Sequence, residues 1–403
     1  MSFGSIRNRR RGIGRLAHRI TRGLRIGLGA ALLLSVNCRA QWIGDSSIEA
    51  HTHRGIEHVY NLSFDSARSE FQILVRQQPD HPAGYFFLAM VDWWRIVTDI
   101  ENRSNDDRFL SELDRVIDLC DKRIDKDEHD TAALFFKGGA LGFRGRLHGN
   151  REDWLQAAND GRAALPIVEE AFKLAPGNND VLLGMGVYHY YAAVIPDQYP
   201  FVKPLMIFFP DGDKEKGLKE LSRAASKAAY ADVEATYFLL QVLQNYEKRS
   251  GEALPLALKL HARFPNNPIF HKYVGRCYAS VGNLDACART FSEMLRSVGE
   301  KRRGYDKLVE REARYYLGLH EVNTGEYTAA LGHFYRADEL SRGLDKEPSG
   351  FMVMANLQIG FIYDIEKKRD LAVKQYNKVL GLSDYQGSHE QAQRYLKSPY
   401  VKF

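Results

Sequence analysis

At 403 residues, 44% hydrophobic and 27% charged, the chain exceeds one ordinary globular core, and its net charge is +5. That positive balance is local: residues 1–40 hold nine arginines and no lysine, aspartate or glutamate, +9 in all, so the remaining 363 residues total −4. A nucleic-acid-binding surface is thereby disfavoured for the body of the chain. A solenoid, which adds core one repeat at a time, accommodates this length without a domain split.

Residues 1–40 read as an N-terminal signal or targeting segment. Arg7, Arg9, Arg10, Arg11, Arg15, Arg19, Arg22 and Arg25 precede an uncharged, mostly apolar run from Ile26 to Val36. Eleven residues are too few to span a bilayer but suit the apolar centre of a secretory signal. Cleavage after Ala40, with Cys38 and Ala40 as the small residues before the cut, leaves Gln41 as the new N-terminus and predicts export to the periplasm or cell envelope. A lipid anchor on Cys38 and an organellar presequence are the alternatives. Beyond the leader stand Cys120, Cys277 and Cys287, an odd number without zinc spacing, best read as small buried residues.

Residues 41–397 then read as consecutive helix pairs. In the first, from Ile48 to Pro79, Gly55 is followed by Ala67 at +12, Phe71 at +16 and Leu74 at +19. The second has Trp93 and Trp94 in its first helix, Ala83 to about Val97, and a polar insertion near 98–108 before a helix from Phe109 to Lys126. In the third, Thr131 to Pro176, Gly138, Gly139, Gly142 and Gly145 crowd the first helix. Each costs roughly 1 kcal/mol of helix stability against alanine, so close packing is the expected reason. A phosphate-cradling loop is disfavoured, because neither a preceding strand nor a lysine-serine ending is present.

The fourth pair breaks the rhythm. Its first helix, about Asp180 to Val194, carries Tyr188, His189, Tyr190 and Tyr191, and its second runs from about Lys214 to Ala229. The insertion near 195–213 is rich in proline and large apolar residues, which must bury somewhere: as a lid, against a partner, against a membrane surface or against the chain itself. The fifth pair, Asp232 to Pro265, has Gln241 where glycine is expected. The sixth has Gly275, Cys287, Phe291 and Met294; the seventh Gly318, Ala330, Phe334 and Ala337; the eighth Gly360, Ala372, Tyr376 and Val379. A short helix around His389 to Lys397 is predicted to cap the array, with residues 398–403 as a tail.

In an antiparallel pair, a glycine on one helix lets a small residue on the other approach, and an aromatic one turn later fills the wedge. This spacing resembles the tetratricopeptide repeat. The resemblance implies an all-α, right-handed superhelical solenoid of about eight antiparallel helix pairs. A narrower run, Gly186, Ile195-Pro196, Leu205, Phe208, Gly212-Asp213-Lys214, Gly217-Leu218 and Leu221, is similar to the tetratricopeptide repeat protein 39 and Iml2 family. That resemblance implies fold only and supplies no catalytic motif.

Stacked repeats turn their first helices toward a groove, and residues one turn apart on that face form a binding strip. The strip consists of Phe238, Val242, Asn245 and Tyr246; Lys272 and Arg276; Tyr315 and Leu319; and Leu357, Phe361 and Asp364. Lys272 and Arg276 read either as a carboxylate clamp for an acidic peptide tail or as a solvated helix face. His51, His53 and His58 lack metal-ligand spacing and read as a flexible chain start. Trp93, Trp94, Tyr190 and Tyr191 read as core or as an aromatic ligand pocket. The sequence thus predicts a non-catalytic scaffold or assembly factor with a protein or peptide partner and no metal, cofactor or nucleic acid. Peripheral membrane association is an option. The alternative is a ligand- or lipid-binding repeat protein using the aromatic fourth pair and its loop.

Overall fold

The computed structural model describes residues 46–402 apart from Phe208; the expected leader and the expected cleavage after Ala40 lie outside the described residues. The pairs are α1 (Ser46–Tyr60) with α2 (Phe64–Gln77), α3 (Pro82–Thr98) with α4 (Asp106–Ile124), and α5 (Thr131–Asn150) with α6 (Trp154–Leu174). Next come α7 (Val181–Gln198), a short α8 (Lys203–Met206) and α9 (Lys214–Lys227), then α10 (Asp232–Gln241) with α11 (Ser250–Arg263). The array continues as α12 (Pro268–Ser280) with α13 (Leu284–Gly299), α14 (Lys307–Thr324) with α15 (Tyr327–Leu344), α16 (Gly350–Ile365) with α17 (Arg369–Leu380), and α18 (Ser388–Lys397). No strand occurs among the described residues.

Helix starts follow local chemistry. Asp130, Asp213 and Asn283 accept from the N–H groups of Ala133, Lys216 and Ala286 at 2.9, 2.9 and 3.0 Å, and Pro82 and Pro268 occupy first positions where no N–H is needed. Gly325, at φ +87°, ends α14 in the left-handed conformation.

The repeat spacing has a direct physical basis. A Cβ on Gly55, Gly275, Gly318 or Gly360 would lie 2.2, 2.5, 2.8 or 2.5 Å from the ring of Phe71, Phe291, Phe334 or Tyr376, and all four rings are fully buried. Glycine is required because the aromatic takes the space of its missing side chain. Cys287, in the small-residue slot, is likewise buried. The fold is therefore an all-α, tetratricopeptide-like solenoid of helix pairs.

The array curls on itself. Asn267 Nδ2 donates to the Tyr60 carbonyl at 2.9 Å, Arg263 Nε to Glu57 at 2.8 Å, and Arg303 to the Leu62 carbonyl at 2.8 Å. The α1–α2 corner thus meets the fifth and sixth pairs, and one apolar core runs from Ile48 to Cys277. The later pairs have separate apolar clusters. At the far end α18 and the tail cover the eighth pair: Asp364 accepts from Tyr376 Oη at 2.7 Å and Tyr400 N at 2.8 Å, and Tyr400 stacks on Phe361 at 4.3 Å.

Three local expectations change. Helix α7 continues to Gln198 through Pro196, four residues past its expected end. The polar insertion of the second pair shrinks to residues 99–105. His51, His53 and His58 are on α1 rather than in a flexible start, where the His51 ring meets Glu70 at 2.6 Å and His53 stacks on Tyr230 at 5.3 Å. Tertiary contacts with α2 and Tyr230 hold that first helix, and helices within proteins gain most of their stability this way.

Candidate ligand cavity

The curl surrounds a half-open cavity of about 730 Å³, walled by α1, α3, α5, α6, α7, α10 and the segment after α7. Its lining is dominated by aromatic and aliphatic side chains, among them Phe86, Phe143, Tyr191, Phe238 and Tyr246, with a few polar groups. This size and character match small-molecule sites in general.

Glu234 of α10 is the hub of the wall. Its carboxylate, 4% exposed, accepts from Tyr60 Oη at 3.1 Å, Trp94 Nε1 at 3.3 Å and Arg146 at 2.9 Å, tying α1, α3 and α5 to α10. The Arg146 guanidinium lies over the Trp93 and Phe238 rings at 4.7 and 4.1 Å. The Arg146–Glu234 pair on the cavity wall is thus internally balanced. Burial, reinforced by the neighbouring Glu234 carboxylate, pushes the Tyr60 phenol well above its ordinary range, so it stays protonated and donates. Asp180 accepts from the Tyr230 and Ala231 N–H groups at 2.8 Å each, and burial raises its pKa despite those donors.

After Gln241 the backbone widens into a π turn, Val242–Tyr246, closed by Glu247 N to Val242 O at 3.0 Å. Such turns concentrate at functional sites. Here the turn places Gln241, Asn245 and Tyr246 on the wall.

The segment from Tyr199 to Asp213 forms one side of the enclosure. Val202, Met206 and Phe209 line the cavity, whereas Phe201 and Ile207 are 60% and 79% exposed. Trp154 meets Tyr199 and Phe201 at 5.7 and 5.6 Å, and Tyr188 Oη donates to the Pro210 carbonyl at 2.5 Å. Its return depends on Gly212, where a Cβ would lie 2.1 Å from the Ala193 nitrogen; Asp213 N then donates to the His189 carbonyl at 2.9 Å. Below it, α7 and α9 cross backbone to backbone, since a Cβ on Gly217 would lie 2.6 Å from Tyr190 N. A Gly212→Ala chain is expected to lose about 1–3 kcal/mol through overpacking. Limited chymotrypsin proteolysis after the exposed Phe201 should accelerate while the remaining helices stay resistant; unchanged cleavage would show that the segment does not depend on this approach.

The structure separates the predicted groove residues. Phe238 and Tyr246 line the cavity. Arg276 donates to both Glu312 oxygens at 2.5 and 2.7 Å, and Lys272 lies 3.8 Å from the same carboxylate. Glu312, 2% exposed, stands where an acidic peptide would have to bind. Burial lowers the Lys272 pKa, while the Glu312 pairing outweighs burial at Arg276 and raises its pKa. Tyr315 packs on Phe334 and Phe351 at 5.9 and 5.5 Å, Leu319 joins the same cluster, and Phe361 is under the C-terminal tail. Of the aromatic candidates, Trp93 and Tyr190 are core, whereas Trp94 and Tyr191 also line the cavity. Sequence reasoning missed Arg146, Glu234 and Tyr230. No group of three metal-ligating side chains occurs among the described residues, and burial pushes the thiols of Cys120, Cys277 and Cys287 up to about 12.

No family model matches the chain, and a search of curated proteins finds no match. Among solved structures, it is similar to a human IFIT1 dimer with m7Gppp-AAAA, at 13% identity and a TM-score of 0.41 over 90% of this chain and 88% of that one. It is also similar to yeast Tom70, at 11% identity and a TM-score of 0.35 over 85% of this chain and 86% of that one.

Proposed function

We propose that this protein is a non-catalytic helical-repeat binding protein that holds a small, largely apolar ligand in the cavity of its curled first five pairs. The supporting observation is the half-open cavity of about 730 Å³ with aromatic and aliphatic walls and the 199–213 segment along one side. The balanced Arg146–Glu234 pair and the −4 charge beyond residue 40 favour a ligand other than nucleic acid. The arginine-rich leader supports action in the cell envelope after export. Outward-facing Phe201 and Ile207 support peripheral contact with a membrane surface.

The test is organic extraction of protein purified from its native cell, with mass spectrometry of the extract. One enriched small molecule per chain is the expected result. Should the extract match that of a control protein, and the stripped chain fail to enhance anilinonaphthalene sulfonate fluorescence, the ligand reading is lost.

A protein or peptide partner is the second reading, supported by the sixth to eighth pairs, which extend past the curl and leave Tyr335 and Leu371 at 39% exposure each. Crosslinking in the native cell would enrich one protein in proportion.

A further inference from the structure

Helix α5 carries glycine at positions 138, 142, 145 and 149, a spacing that puts all four along one helix face. Two are explained by neighbours within the chain: a Cβ on Gly138 would lie 2.6 Å from Val168 Cγ2, and one on Gly145 3.1 Å from Asp160 Cβ. Gly142 and Gly149 are not, because a Cβ there would meet nothing within 4 Å. Both line the cavity. Glycine is a poor helix former, and at Gly142, in mid-helix, no packing within the chain demands it. What the missing side chain leaves open is the cavity itself.

A second wall residue points the same way. Tyr230 is 6% exposed, and its hydroxyl has no hydrogen-bond partner. Buried polar groups are normally satisfied, so this donor is poised for an acceptor that the chain does not supply. The phenol stays protonated: burial raises its pKa, and the carboxylates of Glu49 and Asp180 nearby raise it further. Asp180, on the same wall, also repels an anion at this end of the cavity. Arg146, the cation on the wall, is held by Glu234.

We propose that the ligand is a neutral amphiphile, with a hydrocarbon body against the bare α5 backbone at Gly142 and a hydroxyl, ester or carbonyl oxygen accepting from Tyr230. The proposal rests on the cavity-binding reading above and adds the ligand's chemistry and placement.

The test titrates delipidated full-length chain with monoolein and, separately, oleate, both below micelle formation, read by native mass spectrometry and displacement of anilinonaphthalene sulfonate. Wild type should bind monoolein at least tenfold more tightly than oleate. Gly142→Leu should lose saturable monoolein binding while melting at or above the wild-type temperature, since leucine favours the helix and fills open space. Gly142→Ala provides a milder version, weakened several-fold. Tyr230→Phe should bind about five- to tenfold more weakly, the loss of one hydrogen bond. Oleate binding as tight as monoolein, or Gly142→Leu binding like wild type, would overturn this inference and leave the cavity reading intact. Binding of neither lipid nor the fluorophore by wild type would overturn both.

Discussion

A Glu234→Ala chain is expected to unfold with about 3–5 kcal/mol less free energy than wild type, the scale for removing one partner of a buried ion pair. The loss is large because this carboxylate, 4% exposed, satisfies three donors from three other helices. Its removal leaves Arg146 charged between the Trp93 and Phe238 rings, and leaves Tyr60 Oη and Trp94 Nε1 without their acceptor. Glu234→Gln should fall between the two, keeping an acceptor while stripping Arg146 of its counter-charge. Urea unfolding followed by circular dichroism and tryptophan fluorescence gives the magnitude, and hydrogen exchange gives the location. Protection should fall first in α1, where the fifth pair is met. A change below about 0.5 kcal/mol, the ordinary range for a surface substitution, would mean that the hub does not hold the curl closed.

The second large effect concerns the wedge of the seventh pair. Phe334 is fully buried with its ring against Gly318, where a Cβ would lie 2.8 Å away. Phe334→Ala should cost about 3–5 kcal/mol through lost burial and the cavity left behind. Because a solenoid transmits stability mainly between neighbours, exchange protection should drop in α14 to α17 and hold in α1 to α5. Gly318→Ala should destabilise wild type, whose ring has nowhere to go, yet be tolerated or favourable in the Phe334→Ala chain. The double-mutant cycle should therefore show coupling of opposite sign to the two single losses. Additive losses would mean that the glycine is not there for the ring.

Legibility followed separation along the chain. Gly55 with Phe71 and Gly318 with Phe334 are each sixteen residues apart, so one period carried both helices and the wedge between them. Phe238 and Tyr246 were reachable because they lie on one face of a predicted first helix, although the π turn that places Tyr246 was not. The Arg276–Glu312 pairing spans 36 residues, close to one repeat, and the recurrent spacing could have suggested it. The α5 glycines were visible, but only the structure separates Gly138, pressed on Val168, from Gly142, which faces open space.

The sequence by itself determined the all-α class, the order of the helix pairs, the wedge residues and the irregular fourth pair, because each is a matter of helical period and local packing. Only the tertiary structure decided that the array closes into a cavity. That closure joins Tyr60, Trp94 and Arg146 to Glu234 across 174, 140 and 88 residues, and small rotations accumulated over five pairs set whether such groups meet. No local pattern encodes that sum.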